Sequence, residues 1–267
     1  MTISGRTKAL LLSAVGFVLL VVYAPLAVVV ISSFNAESTF GWPPSSFTTK
    51  WWRSTWNNQG AMDAVGTSVE VGLLATAVAL VLGTLAAFAL TRYQFFGRES
   101  ISLLVILPIA LPGIVTGLAL NSAFTTFMGV GLSMWTVVLA HSTFCIVVVF
   151  NNVSARLRQL GGNVEEASMD LGASRWTTFR LVVFPLLRGG IVAGALLAFA
   201  LSFDEIIVTR FTADAATETL PLWILNNLFR PNQTPVINVV GSVLIMASII
   251  PIYLSQKLSG SSTGGRM

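Results

Sequence analysis

An all-α, polytopic membrane protein is what this sequence predicts, and three observations carry that expectation. Of the 267 residues 54% are hydrophobic and only 10% are charged. Soluble domains carry about 25% charged residues, so the apolar surface is expected to be buried in lipid. The apolar residues fall into stretches of about 20 or more, the length a helix needs to cross a bilayer. Finally, the basic residues are distributed unevenly between the segments that join those stretches.

Ala9–Ser33 is free of charge and supplies the first span, within the range 9–33. Arg6 and Lys8 precede it like the positive end of a signal peptide, but the apolar run exceeds the roughly 7–15 residues of a cleaved h-region. It also continues through Pro25 with no clear A-x-A site, so an uncleaved helix is expected. The second span is 65–91, with Glu70 near one end. Between Ser100 and Ala155 there is no Asp, Glu, Lys or Arg. That length requires two helices, 101–127 and 132–152, divided at Met128-Gly129-Val130-Gly131. The fifth and sixth spans are 189–208 and 236–256. Residues 1–258 thus read as a single transmembrane domain of six helices, with a polar connecting loop at 153–188. A flexible tail rich in Ser and Gly follows at 259–267.

Lys and Arg mark the cytoplasmic side of membrane proteins. With the N-terminus inside, the cytoplasmic segments hold Arg6, Lys8, Arg92, Arg98, Arg156, Arg158, Arg175, Arg180, Arg188, Lys257 and Arg266. The outer segments hold only Lys50, Arg53, Arg210 and Arg230. Both termini and the 153–188 loop are therefore expected in the cytoplasm. The net charge of +4 is accounted for by this sidedness and contains no basic run, so nucleic acid is not an expected partner. Membrane lipid is. Cys145 is the single cysteine, which excludes an internal disulfide framework. In the first outer loop, Trp42, Trp51, Trp52 and Trp56 suit a membrane–water boundary, or a docking surface for an extracytoplasmic partner.

The 153–188 loop has its own local chemistry. Asn163 is expected to cap a helix, with Glu166 at the third helical position completing a capping box. Glu165 and Glu166 place negative charge at the positive end of the helix dipole. That helix should run to about Leu171 and stop at Gly172, which can take the left-handed conformation. Ser174 can cap a second helix through Trp176, Phe179 and Val183, and Pro185 should break the backbone before the fifth span. Two readings stay open on local chemistry alone: an amphipathic helix–turn–helix lying on the membrane, or a short exposed helix joined to a lever.

The spacing within this loop decides between them by resemblance. Glu166-Ala167-Ser168, then Gly172, then Val182-x-Phe184-Pro185, resembles the E-A-A…G…I-x-L-P loop of bacterial ABC importer permeases. Glu, the first Ala, Gly and Pro stand in place, and Ser168, Val182 and Phe184 depart conservatively. The resemblance implies a type I ABC importer permease fold in the bacterial cytoplasmic (inner) membrane. It also implies that Glu165, Glu166, Ala167, Ser168, Asp170, Leu171, Gly172, Ala173 and Pro185 form the contact with a separate ATPase. The implied partners are an ATP-binding subunit dimer, a sister permease in a heterodimer, and an extracytoplasmic solute-binding protein. No Gly-x-x-x-x-Gly-Lys-Ser/Thr loop occurs here. The chain is thus read as non-catalytic and without a cofactor of its own, ATP and Mg²⁺ being held by the partner.

Further motifs resemble the second permease subunit of spermidine/putrescine importers. They are Arg92-Tyr93, Phe96-Gly97-Arg98, Ala140-His141, Phe144-Cys145, Ser202-Phe203-Asp204-Glu205, Thr219-Leu220-Pro221 and Pro235-x-Ile237-Asn238. The family often has Ala where Val239 stands. Polyamines are the substrate this implies, with importers of other small solutes sharing several of these motifs. Asp204 and Glu205 are the candidate pathway residues, with Asp204 placed ahead of Glu205. On a helix starting near Gly189, Asp204 would lie about 22 Å along it. Ionisable groups inside a span usually face an aqueous cavity or the protein interior. The alternative is that the two carboxylates end the helix at the headgroups or pair with Arg210. His141 and Cys145, four apart, lack the third ligand a metal site needs, and a hydrogen-bonded histidine between helices is expected instead. Pro108 and Pro112 are expected to kink the third span.

An ion-coupled secondary transporter would show internal repeats, and no clear one is present. A membrane enzyme would need a catalytic constellation, which one His, one Cys and few carboxylates do not make.

Overall fold

The computed structural model describes residues 4–39, 41–230 and 233–260, with side chains described as far as residue 249. The described chain is helical. Its only β-type pairing is an isolated bridge between Asn35 and Phe47. The helices are α1 (Gly5–Ser32), α2 (Lys50–Trp56), α3 (Gln59–Arg92), α4 (Arg98–Ala110), α5 (Gly113–Ser122), α6 (Met134–Leu160), α7 (Asn163–Asp170), α8 (Arg175–Thr178), α9 (Phe184–Phe203), α10 (Ile207–Thr212), α11 (Leu220–Asn227) and α12 (Thr234–Gly260). Two π turns, Ala123–Phe127 and Phe179–Val183, continue α5 and join α8 to α9. The predicted tail lies outside the described residues from residue 261 onward.

Among the described residues, four helices are long and apolar enough to cross a membrane: α1, α3, α6 and the continuous helix Arg175–Phe203. A fifth apolar segment consists of Arg98–Ala110 and Gly113–Phe127, bent by 108°. The kink expected in the span 101–127 is therefore a full break into two helices. The cause is Pro112. A proline disfavours helical geometry in the residue before it, and Leu111 is extended at φ −83°, ψ 144°. Pro108 sits inside α4, so of the two prolines it is Pro112 that stands at the break. The apolar stretch described in α12, Thr234–Ile249, is shorter.

Close contacts divide the chain into two compact units, residues 1–62 with 224–267, and Asp63–Trp223. In the first unit α1 packs along α12, and α12 against α2. Trp51 donates its indole N–H to Asn35 O at 3.0 Å, and Trp52 stacks on Phe34 with centroids 5.3 Å apart. Two of the four boundary tryptophans therefore hold the 33–56 connection together. Trp42 and Trp56 remain exposed.

The second unit is built around α6, whose residues Phe144, Val149, Phe150, Val153 and Leu157 are buried with Leu187 and Ala198 of α9. Gly190 and Gly194 make that packing possible. A Cβ at Gly190 would lie 3.0 Å from Arg156 Cβ, and one at Gly194 would lie 3.2 Å from Val149 Cα. Small residues four apart let two helix backbones approach closely in a membrane. The Gly-Ile-Val-Ala-Gly spacing at 190–194 announces this contact in the sequence, and the sequence reading did not use it.

The fifth predicted span shifts at both ends. The helix starts at Arg175 and ends at Phe203, not 189–208. Pro185 does not break it. In the π turn, Phe184 N–H reaches back to Phe179 O, and Pro185 falls in the first turn of α9. The wider turn shifts the hydrogen-bond register just where the proline lacks its donor.

Candidate functional site

The loop around α7 forms as a helix and turn, although its start differs from expectation. Gly162, not Asn163, is the N-cap, and Asn163 is the first helical residue without a capping hydrogen bond. The Asn163/Glu166 capping box is thus absent. The reason lies outside the loop. Arg92, at the end of α3, donates to Glu165 Oε1 at 2.7–2.8 Å and to Gly161 O at 2.7 Å. That clamp holds the Gly161–Gly162 turn and places Glu165, rather than Glu166, at the third helical position.

The C-terminal end follows the sequence. Gly172 has φ +87°. Its N–H bonds to Met169 O at 2.9 Å, and Ala173 N–H bonds to Ser168 O at 3.2 Å. This pair of bonds is a Schellman turn, which satisfies carbonyls left free at a helix end. Ser174 Oγ accepts from Thr177 N–H at 3.2 Å, capping the next helix as expected. Ser168 and Thr178 hydroxyls meet at 3.0 Å across the turn, and Phe179 packs edge-on against Phe88 of α3.

Of the nine loop residues singled out, Glu165 is taken up by Arg92, Ser168 by Thr178, and Pro185 lies in the long helix. Glu166, Ala167, Asp170, Leu171 and Gly172 are exposed, with Ala173 half-buried. Leu171, at the apex, is 90% exposed and Trp176 is 68% exposed. Both apolar side chains stand on the exposed helix–turn, on either side of Gly172. Beside it lies a cavity of about 410 Å³ lined by Phe88, Arg92, Glu165, Glu166, Arg175 and Phe179, among others.

At the far end of the Arg175–Phe203 helix stand the two carboxylates. Asp204 is the C-cap of α9 and is exposed; it does not project from within a helix. Glu205 is half-buried, and its Oε1 accepts from Val208 N–H at 2.9 Å, opening α10. Neither pairs with Arg210 among the described residues. Glu205 also lines a cavity of about 130 Å³ with Pro108, Leu111, Thr116, Phe144 and Leu201. Two interruptions of helix therefore meet here, one at Leu111–Pro112 and one at Asp204–Ile206. α10 packs against α5 and α6. Asn121 Nδ2 donates to Phe211 O at 2.6 Å, satisfying backbone that a longer helix would have bonded internally, and the Thr136 hydroxyl is shared between Thr212 O at 2.7 Å and Ser133 O at 2.6 Å.

His141 is fully buried, its ring nitrogens 2.8 Å from Ser202 Oγ and 2.9 Å from Thr209 Oγ1. Cys145 Sγ donates to Ala198 O at 3.3 Å. The pair is occupied by helix-to-helix hydrogen bonds, as the sequence reading expected of His141. Arg92 appears in the sequence as a cytoplasmic basic residue and in the Arg92-Tyr93 motif, but its clamp on Glu165 and Gly161 was not foreseen there. Its position at the end of an apolar run, opposite an acidic helix start, was the available signal.

Comparisons with known proteins agree with this architecture. A family model described as "Binding-protein-dependent transport system inner membrane component" matches residues 79–263. The spermidine/putrescine transport system permease protein PotC of Haemophilus influenzae is 32% identical over 237 residues, covering 89% of this chain and 91% of that protein. The putrescine transport system permease protein PotI of Escherichia coli K12 is 33% identical over 235 residues, covering 84% and 82%. A chain of a solved bacterial ABC transporter involved in import of the acidic polysaccharide alginate superposes with a TM-score of 0.69, covering 98% of this chain and 99% of that one. At 14% identity that likeness speaks for the fold alone. With most of its length matched by the family model and by relatives above 30% identity, the chain belongs to the family of binding-protein-dependent transport system inner membrane components.

Proposed function

We propose that this chain is a permease subunit of an ATP-driven ABC importer, lining half of a translocation pathway for polyamines such as spermidine and putrescine. It crosses the membrane six times with both termini in the cytoplasm, and α7 docks into a groove on a separate ATP-binding subunit. ATP hydrolysis takes place on that partner. A sister permease completes the pathway as a heterodimer, and an extracytoplasmic binding protein delivers the solute.

The observation that carries this reading is the continuous helix Arg175–Phe203. It joins an exposed helix–turn at one end to the Asp204–Glu205 interruption at the other, about 43 Å apart for 29 helical residues. A displacement of α7 by ATP-driven closure of the ATPase dimer would be carried along a rigid rod. The Schellman turn and the Ser174 cap fix the angle between α7 and that rod. Moving the rod changes how far the carboxylates are exposed, and transport requires that a solute be held more strongly in one state than another. The substrate assignment is supported by the names of the relatives and by the chemistry at the break. A polyamine carries compact ammonium groups on an apolar stem, which carboxylates beside aromatic and aliphatic walls suit.

The test is uptake of labelled spermidine and putrescine into vesicles containing the chain with its sister permease, ATPase and binding protein. Uptake is expected with ATP and not with a non-hydrolysable analogue. ATP-independent uptake would refute the coupling, and ATP-driven transport of another solute with no polyamine uptake would refute the substrate.

A further inference from the structure

The break between α9 and α10 contains a chain of hydrogen bonds whose direction can be derived. Thr209 Oγ1 lies 2.8 Å from the carbonyl oxygen of Glu205. A carbonyl can only accept, so the single hydroxyl hydrogen of Thr209 is spent there. The contact between Thr209 Oγ1 and His141 Nε2 at 2.9 Å must then run from Nε2–H to the hydroxyl oxygen. With the proton on Nε2, neutral imidazole has an accepting Nδ1, which Ser202 Oγ–H meets at 2.8 Å. The order is Ser202 O–H to His141 Nδ1, Nε2–H to Thr209, Thr209 O–H to Glu205 C=O. It starts in the last turn of α9, passes through α6 and ends on the backbone of Glu205, spanning the interruption at residues 204–206.

The geometry points to His141 as a positioning residue for the translocation pathway. It staples the two sides of the helix break from outside, with a fixed Nε2–H tautomer, and so holds Glu205 against the cavity shared with Phe144 and Leu201. His141 has no exposed surface and Thr209 none either, so the staple does not itself touch solute. Its role rests on the reading above that Glu205 meets the solute. Without the staple nothing ties Ser202 to Thr209 across the interruption at residues 204–206, which is then free to shift, and the Glu205 carboxylate leaves its place. The neighbouring bonds from Asn121 and Thr136 hold only the later residues Phe211 and Thr212, so they do not replace it.

His141 is the one histidine in the sequence, so protein labelled with ¹⁵N-histidine and purified without a histidine tag gives one imidazole to observe by NMR. A neutral ring protonated at Nε2 is expected, converting to a mixture of tautomers in Thr209→Val. A wild-type ring protonated at Nδ1, or doubly protonated, at neutral pH overturns the proposal. The second measurement is polyamine uptake against concentration. Thr209→Val should raise the half-saturating concentration by about fivefold, the worth of one buried hydrogen bond, at a maximal rate per correctly assembled complex close to wild type. Thr209→Ser, which keeps the hydroxyl, should restore it. An unchanged half-saturating concentration in Thr209→Val, or a loss confined to the maximal rate, would also overturn the positioning role. If the wild-type complex takes up no polyamine at all, the substrate reading falls. The NMR measurement needs no solute and still decides for or against the staple.

Discussion

Gly172→Val isolates the turn between α7 and the long helix from everything around it. A Cβ built on Gly172 meets nothing within 4 Å, so the substitution introduces no clash. Its whole cost is the backbone, because φ +87° lies where side chains are disfavoured. The left-handed conformation costs an L-residue about 1–2 kcal/mol, and a β-branched residue stands at the upper end. That corresponds to a factor of about 5–30 in the population of the native turn. The turn has little reserve to absorb it, since α7 has only 8 residues and isolated helices shorter than about 12 residues are marginal. Solute-stimulated ATP hydrolysis by the assembled complex is the assay, with assembly checked by size-exclusion chromatography. Valine should reduce the stimulation by about fivefold or more, whereas Gly172→Asn should retain most of it, since asparagine tolerates the left-handed region. Wild-type stimulation in a fully assembled valine variant, or an equal defect in the asparagine variant, would refute the reasoning.

Three further outcomes are expected. Glu205→Gln keeps an oxygen to cap Val208 N–H and removes the charge, so it should raise the half-saturating polyamine concentration by about 10-fold or more, the worth of a charge-assisted bond; exposed Asp204→Asn should change it by less than about fivefold. The reverse ranking would show that Asp204, not Glu205, meets the solute. Arg92→Ala and Glu165→Gln should each impair stimulated ATP hydrolysis and combine non-additively, because the ion pair at 2.7 Å joins them, and Arg92→Lys should not rescue because lysine lacks the fork that spans two acceptors. Strictly additive effects would separate the pair. A cysteine at Ser174 should react only with reagents that reach the cytoplasm and one at Ser46 with impermeant reagents from outside, the native Cys145 being buried and silent; labelling of both from one side would overturn the six-span topology.

Signals acting within about one helical turn were legible in the sequence. The Ser174 cap, the left-handed Gly172 and the end of α7 depend on neighbours three or four residues away, and each formed as expected. The apolar helices α1, α3 and α6 and the bent pair α4–α5 were legible for the same reason, since their length and composition are properties of the local chain. Two local signals misled. Asn163 had the chemistry of a cap, and Pro185 that of a breaker. Their neighbourhoods offered another solution: a Gly161–Gly162 turn clamped by Arg92 in one case, and a π turn in the other.

The sequence alone thus determined an all-α membrane protein with an exposed, glycine-terminated helix leading into a long apolar one, and located the carboxylates at 204 and 205. Only the tertiary structure decided where that long helix stops. Ile206, Ile207 and Val208 are apolar enough to continue it, and nothing local forbids them. The side chains flanking the interruption find a partner in His141, 61 residues from Ser202 and 68 from Thr209, and the carbonyls of Phe211 and Thr212 at the end of α10 are met by Asn121 and Thr136. Inside a membrane, backbone can leave a helix only where protein supplies the hydrogen bonds that water cannot, and those donors come from distant helices.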